Sequence, residues 1–249
     1  MFISTAGTST SLFVPVYYIP LYFQFTHGDD PIQAAVRLLP FVLIAVFTTM
    51  VSGGTMPRFG FYMPWYVLSG VSSVLGAALM YTVKPSTAAG VVYGYSIPIA
   101  IGAGGSLQIG YSVAQATVSA AQHSAAIRFI NSSQLGGTTI ALTIAGRVFQ
   151  TYAFKNVKHA LAGLGFTDSQ IGGAIAGAQG DLLDSLSPEI REAVLGGIVK
   201  AIAKAYILVI AGGSTTLMCS FFMKREKLFQ KTVTSDDIGE QKSILEVQK

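Results

Sequence analysis

From Pro31 to Thr167 the chain contains no aspartate and no glutamate, yet it carries Arg37, Arg58, Lys84, Arg128, Arg147, Lys155 and Lys158. Four apolar blocks lie inside this stretch, each long enough to cross a bilayer and separated by short polar breaks. A soluble domain of such length needs carboxylates to keep its surface hydrated. A chain solvated by hydrocarbon does not, because a carboxylate near mid-bilayer costs about 2.5–3.5 kcal/mol on insertion scales. Composition agrees: 11% of residues are charged and the mean hydropathy is +0.54, where soluble domains carry roughly 25% charged residues. The pattern specifies an all-α membrane protein.

Six spans are expected, at about 4–26, 33–55, 65–83, 88–113, 125–149 and 200–223, since about 20 residues cover the hydrocarbon core. Residues 1–150 thus hold five spans, 151–199 form an extracellular loop with short helices, and 224–249 form a charged cytoplasmic tail. Pro15 and Pro20 fall inside the first span, where neighbouring helices can satisfy the freed carbonyls. Arg37 is expected to snorkel to the near headgroups, and Lys204 to do the same in the last span. The fourth block is dense in glycine, which lets helix backbones approach closely. Ser187-Pro188-Glu189 reads as a helix start running into the last span. The tail cluster Lys224, Arg225, Lys227 and Lys231 is the heaviest basic flank, which places both termini in the cytoplasm.

Several chemistries are excluded. The basic residues are scattered singly between apolar blocks, so no stripe exists for nucleic acid to follow. One cysteine, Cys219, makes neither a disulfide frame nor a metal site, and no phosphate-loop or other cofactor pattern occurs. All twelve acids lie outside the expected spans, and His27, His123 and His159 lie in turns or loops. A proton carrier of the usual intramembrane kind would therefore sit on other polypeptide. Ser106 in the glycine-rich block lacks a histidine to activate it, which disfavours an enzyme.

The run Tyr17-Tyr18-Ile19-Pro20-Leu21-Tyr22-Phe23-Gln24 resembles the "YYLPIYFQ" element of major facilitator drug:proton antiporters of the 14-spanner type, especially fungal ones. Further motifs follow with that family's spacing: Pro31 and Val36-Arg37-Leu38-Leu39-Pro40; Ser52-Gly53 with Gly60-Phe61-Tyr62-Met63-Pro64-Trp65; Gly94-Tyr95 with Gly102 to Gln108; and Gln134-Leu135-Gly136-Gly137 with Val148-Phe149-Gln150. Ser96 and Asn131-Ser132-Ser133 depart from the pattern. The resemblance covers about Leu12 to Gln150.

It implies the C-terminal six-helix half of a major facilitator fold, a 3+3 inverted repeat whose substrate site lies at the midplane between two halves. The implied function is export of small organic compounds such as secondary metabolites by proton antiport, as a multidrug or toxin efflux pump of the plasma membrane. Tyr18, Gln24, Gln108, Gln115, Asn131 and Gln134 are the candidate substrate-binding residues, and Arg58 and Gly60 shape a cytoplasmic gating turn. The expected partners are the lipid bilayer, the small organic substrate, and either a missing N-terminal half or a second copy. The alternative is a truncated, non-transporting membrane protein that associates with other transporter subunits or is a degenerate remnant.

Overall fold

The computed structural model describes residues 1–176 and 186–223, with all their side chains except those of residues 57–59, 116 and 120. The Arg58 side chain, part of the 151–199 loop and the 224–249 tail lie outside the described residues. Among those described there are seven α-helices: α1 (Phe2–His27), α2 (Pro31–Phe59), α3 (Met63–Tyr81), α4 (Ala89–Thr117), α5 (His123–Ala160), α6 (Asp168–Ile175) and α7 (Pro188–Phe221). A single 3-10 turn, Ala120–Gln122, precedes α5. Four of the helices, α2, α3, α4 and α7, are long and apolar enough to cross a membrane.

Local sequence sets the helix ends. Pro31 occupies the first turn of α2 behind an extended Asp30, where its missing N–H costs nothing. The same helix stops at Gly60, whose left-handed backbone (φ 71°) lets its N–H reach the Met56 carbonyl. Ser187 is extended, Pro188 opens α7, and that helix continues unbroken to Phe221. α5 likewise continues past residue 149 to Ala160. In α6, Thr167 and Gln170 form a reciprocal capping box.

α1 and α5 are as long as the others but more polar. The hydroxyls at the start of α1 are buried among neighbouring helices, and Thr8, Ser9 and Ser11 each donate to the carbonyl four residues back. Such back-bonding satisfies the hydroxyl inside its own helix. It makes a Ser/Thr-rich helix tolerable where water is excluded.

α7 packs against α3, α1 and α5, while α4 packs against α3, α2 and α1. α1 and α7 cross closely at Gly7 and Gly212. A Cβ on Gly7 would stand 2.6 Å from the Gly212 carbonyl oxygen, and one on Gly212 would stand 2.8 Å from that of Gly7. In α4 the glycine density has two outcomes: Gly102 and Gly104 meet the backbones of α3 and α2, whereas Gly90 and Gly94 face open space. Tyr18, Tyr22, Phe23 and Tyr206 lie in the main core. A smaller cluster of Met56, Tyr62, Tyr66, Ile109 and Val113 closes the opposite end. The exposed face of α2 carries Ile32, Val36, Leu39, Leu43, Phe47 and Met50, a three-to-four-residue stripe suited to lipid.

Arg37 finds its partners within the chain. Its Nη2 lies 3.1 Å from Asp29 Oδ1 in the α1–α2 turn, Nε also donates to that carboxylate, and the guanidinium covers the Phe23 ring at 4.9 Å. Lys204 has its ammonium 2.7 Å from the Tyr81 hydroxyl and near the rings of Tyr81 and Tyr152.

Candidate functional site

The antiparallel long helices give the bundle two ends. One holds the α1–α2 turn, the α3–α4 turn and α6; the other holds the start of α1 and the α2–α3 and α4–α5 turns. Tyr22 ties the first end together, its hydroxyl donating to the Lys84 carbonyl at 2.9 Å. At the second, Ser133 of α5 donates to the Phe2 carbonyl at 2.5 Å.

The six candidate binding residues divide between these ends. Tyr18 lies toward the α6 end, 1% exposed, with its ring edge-on to Phe149 at 5.7 Å. It borders a cavity of about 770 Å³ between α1, α5 and α6, together with Tyr17, Phe149, Gln150, Thr151 and Phe154. Among the described residues its hydroxyl has no hydrogen-bond partner, and neither has that of Tyr206 on α7. Gln24 lies farther along α1, half-buried and outside this cavity.

The remaining four gather toward the opposite end. Gln108 and Gln115 are exposed on α4, and Gln108 runs along α2 beside Gly53. Asn131 and Gln134 stand on α5, one turn apart. A residue absent from the sequence reading connects them: the Tyr111 hydroxyl of α4 lies 2.5 Å from Asn131 Oδ1 and 2.6 Å from Gln134 Oε1. The signal was present, since Tyr111 falls three residues after Gln108 and four before Gln115, on one helical face. The structure thus joins Asn131 and Gln134 through Tyr111, sets Gln108 beside α2, and leaves Tyr18 toward the α6 end.

Ser106 is held inside the bundle. Its hydroxyl lies 2.9 Å from that of Thr8 and 2.7 Å from that of Ser69, a chain of hydroxyls crossing α1, α4 and α3. Those contacts are helix-to-helix glue, with no base to make Ser106 a nucleophile. Among the described residues no three His, Cys, Asp or Glu side chains group as metal ligands. Gly60 forms the α2–α3 turn at the end away from α6. Amide, hydroxyl and aromatic groups are what this surface offers to a ligand, for hydrogen bonds and ring contacts.

No protein-family model matches the chain. Among curated proteins, it is 42% identical over 229 residues to the efflux pump alnA of Emericella nidulans, covering 92% of this chain and 41% of that protein. It is 40% identical to the MFS-type transporter pgmG of Aspergillus terreus (96% of this chain, 42% of that one). A third relative, at 34% identity, is the phomenoic acid biosynthesis cluster MFS-type transporter of Leptosphaeria maculans (94% and 40%). The chain spans about two fifths of the length of each of these relatives. It belongs to the family of MFS-type transporters and efflux pumps, matching them along nearly all of its own length.

Proposed function

We propose that the chain is the C-terminal six-helix half of a membrane exporter that moves small organic compounds, such as secondary metabolites, by proton antiport. The observation that carries this reading is the set of polar side chains on α4 and α5, of which Asn131, Gln108 and Gln115 are exposed. Exposed amides on long, otherwise apolar helices are costly toward lipid. They fit a water-lined cleft facing a second helical body, which the remaining length of the relatives could supply.

Helix neighbours support a three-plus-three arrangement. Exchanging α1 with α4, α2 with α5 and α3 with α7 turns the α1–α5 contact into α4–α2, and the α1–α7 contact into α4–α3. Both exchanged pairs occur, whereas the α5–α7 packing has no comparable α2–α3 counterpart among the described residues, so the helix neighbours match an inverted repeat in part. Gln108, Gln115, Asn131 and Gln134 then form the midplane substrate surface, with Tyr18 and Gln24 nearer its outer mouth. Arg58 and Gly60 shape the cytoplasmic gating turn, both termini are cytoplasmic, and the membrane is the plasma membrane. The proton carrier lies on the other half, since among the described residues no acid stands in the midsection of a long helix.

The test is export from the native host. Deleting the gene should raise the intracellular level of an exported metabolite, and the Gln134→Ala allele should reproduce a large part of that defect. Collapsing the pH gradient should abolish export from wild-type cells. Unchanged retention in the deletion strain would sink the transporter reading; export indifferent to the pH gradient would sink the antiport mechanism.

A further inference from the structure

Four rings wall the cavity between α1, α5 and α6: Tyr17 and Tyr18 from one helix, Phe149 and Phe154 from the other. Gln150 and Thr151 add an amide and a hydroxyl, both from exposed residues. A volume of about 770 Å³ falls within the roughly 300–1,000 Å³ of drug-sized sites. Ile175 of α6 lies over one side. That helix is fastened to α5 by the Lys158–Asp168 pair, with the ammonium 2.8 Å from Oδ1.

Charge decides which ligands such a box accepts. Aromatic faces attract cations, but a cation leaving water also needs a compensating anion. Between Met1 and Ala176 the chain has three carboxylates, Asp29, Asp30 and Asp168. Asp29 is paired with Arg37 and Asp168 with Lys158, and exposed Asp30 belongs to the α1–α2 turn. Among the described residues no carboxylate lines the cavity. Its border carries positive charge instead: exposed Arg147 lies one turn before Gln150 on α5, and exposed Lys155 one turn after Thr151.

We propose that this cavity is a subsite for aromatic organic compounds that bear hydroxyl, carbonyl or carboxylate groups and carry no positive charge. This rests on the transporter reading above and names its substrate class. The rings stack on the ligand, Gln150 and Thr151 meet its polar groups, and the basic border excludes cations.

Photolabelling of the purified chain in detergent tests it, with three probes of one shape: para-hydroxymethylbenzophenone, para-carboxybenzophenone and para-(trimethylammoniomethyl)benzophenone. The neutral and anionic probes should crosslink to peptides around Tyr17 and around Phe149–Phe154, and the cationic probe should not. Phe149→Ala should cut this labelling about fivefold, equivalent to ~1 kcal/mol. Gln150→Leu with Thr151→Val, both at exposed positions, should cut it about threefold with the fold retained. Equal labelling by all three probes would overturn the proposal, as would labelling spread along the apolar face of α2 that ignores the substitutions. Selective labelling combined with normal metabolite export in the deletion strain would overturn the transporter reading and leave the cavity's selectivity standing.

Discussion

The hydroxyl of Tyr111 on α4 stands 2.6 Å from the side-chain oxygen of Gln134 on α5, and Asn131 Oδ1 lies equally close on its other side. A hydroxyl has one proton, so it donates to one amide while the other turns its NH₂ toward the tyrosine oxygen. The trio is a shared network linking two helices whose other contacts are few.

Tyr111→Phe removes the common member of that network. Interhelical hydrogen bonds in membranes average about 0.6 kcal/mol, so the single substitution should lower stability in detergent by ~1 kcal/mol. A double-mutant cycle with Gln134→Ala should show coupling above about 0.5 kcal/mol. Additive losses would mean that the three side chains act independently.

The buried hydroxyls of Tyr18 and Tyr206 predict a gain instead. Neither has a partner among the described residues, and an unsatisfied buried hydroxyl costs about 1–3 kcal/mol. Tyr206→Phe should therefore raise the melting temperature, by an amount matching ~1 kcal/mol. Tyr18→Phe should also stabilise, and should reduce export if the hydroxyl serves the substrate. A loss of stability in Tyr206→Phe would show that its hydroxyl is satisfied in the bilayer.

The Gly7–Gly212 crossing leaves no room for a side chain on either helix, because the atoms in the way are backbone. Gly7→Ala and Gly212→Ala should each cost about 1–3 kcal/mol, as overpacking does. Gly136→Ala on α5, where nothing lies within 4 Å, should leave melting unchanged or raise it slightly. Thermal unfolding in detergent separates the two classes.

At the α1–α2 turn, Asp29 is matched to Arg37 with its side chain only 7% exposed, while Asp30 next to it is exposed. Asp29→Ala should destabilise by about 1 kcal/mol, the upper range for a partly exposed pair, and Asp30→Ala should cost less. Equal effects would mean that the pair contributes nothing beyond the charge of the turn.

Much of this was legible beforehand. The acid-free stretch from Pro31 to Thr167 announced a hydrocarbon environment. Punctuation such as Pro31, Gly60 and Ser187-Pro188 marked helix ends, because those residues act on the backbone directly. Asn131 and Gln134, one turn apart on α5, meet at the Tyr111 hydroxyl, while Gln108 and Gln115 share only a face of α4. Tyr111 was passed over because a tyrosine in an apolar block looks like core until its neighbour is known.

What the sequence determined by itself was the solvent, the helical class, the main breaks between helices and the family. These depend on composition, local backbone chemistry and motif order. Only the tertiary structure decided that Tyr18 turns its hydroxyl into a core with nothing to bond it, that Arg37 finds Asp29, and that Ser106 is held by Thr8 and Ser69. Each of those outcomes depends on which helix lies opposite, a relation between residues far apart in the chain that helical periodicity does not carry.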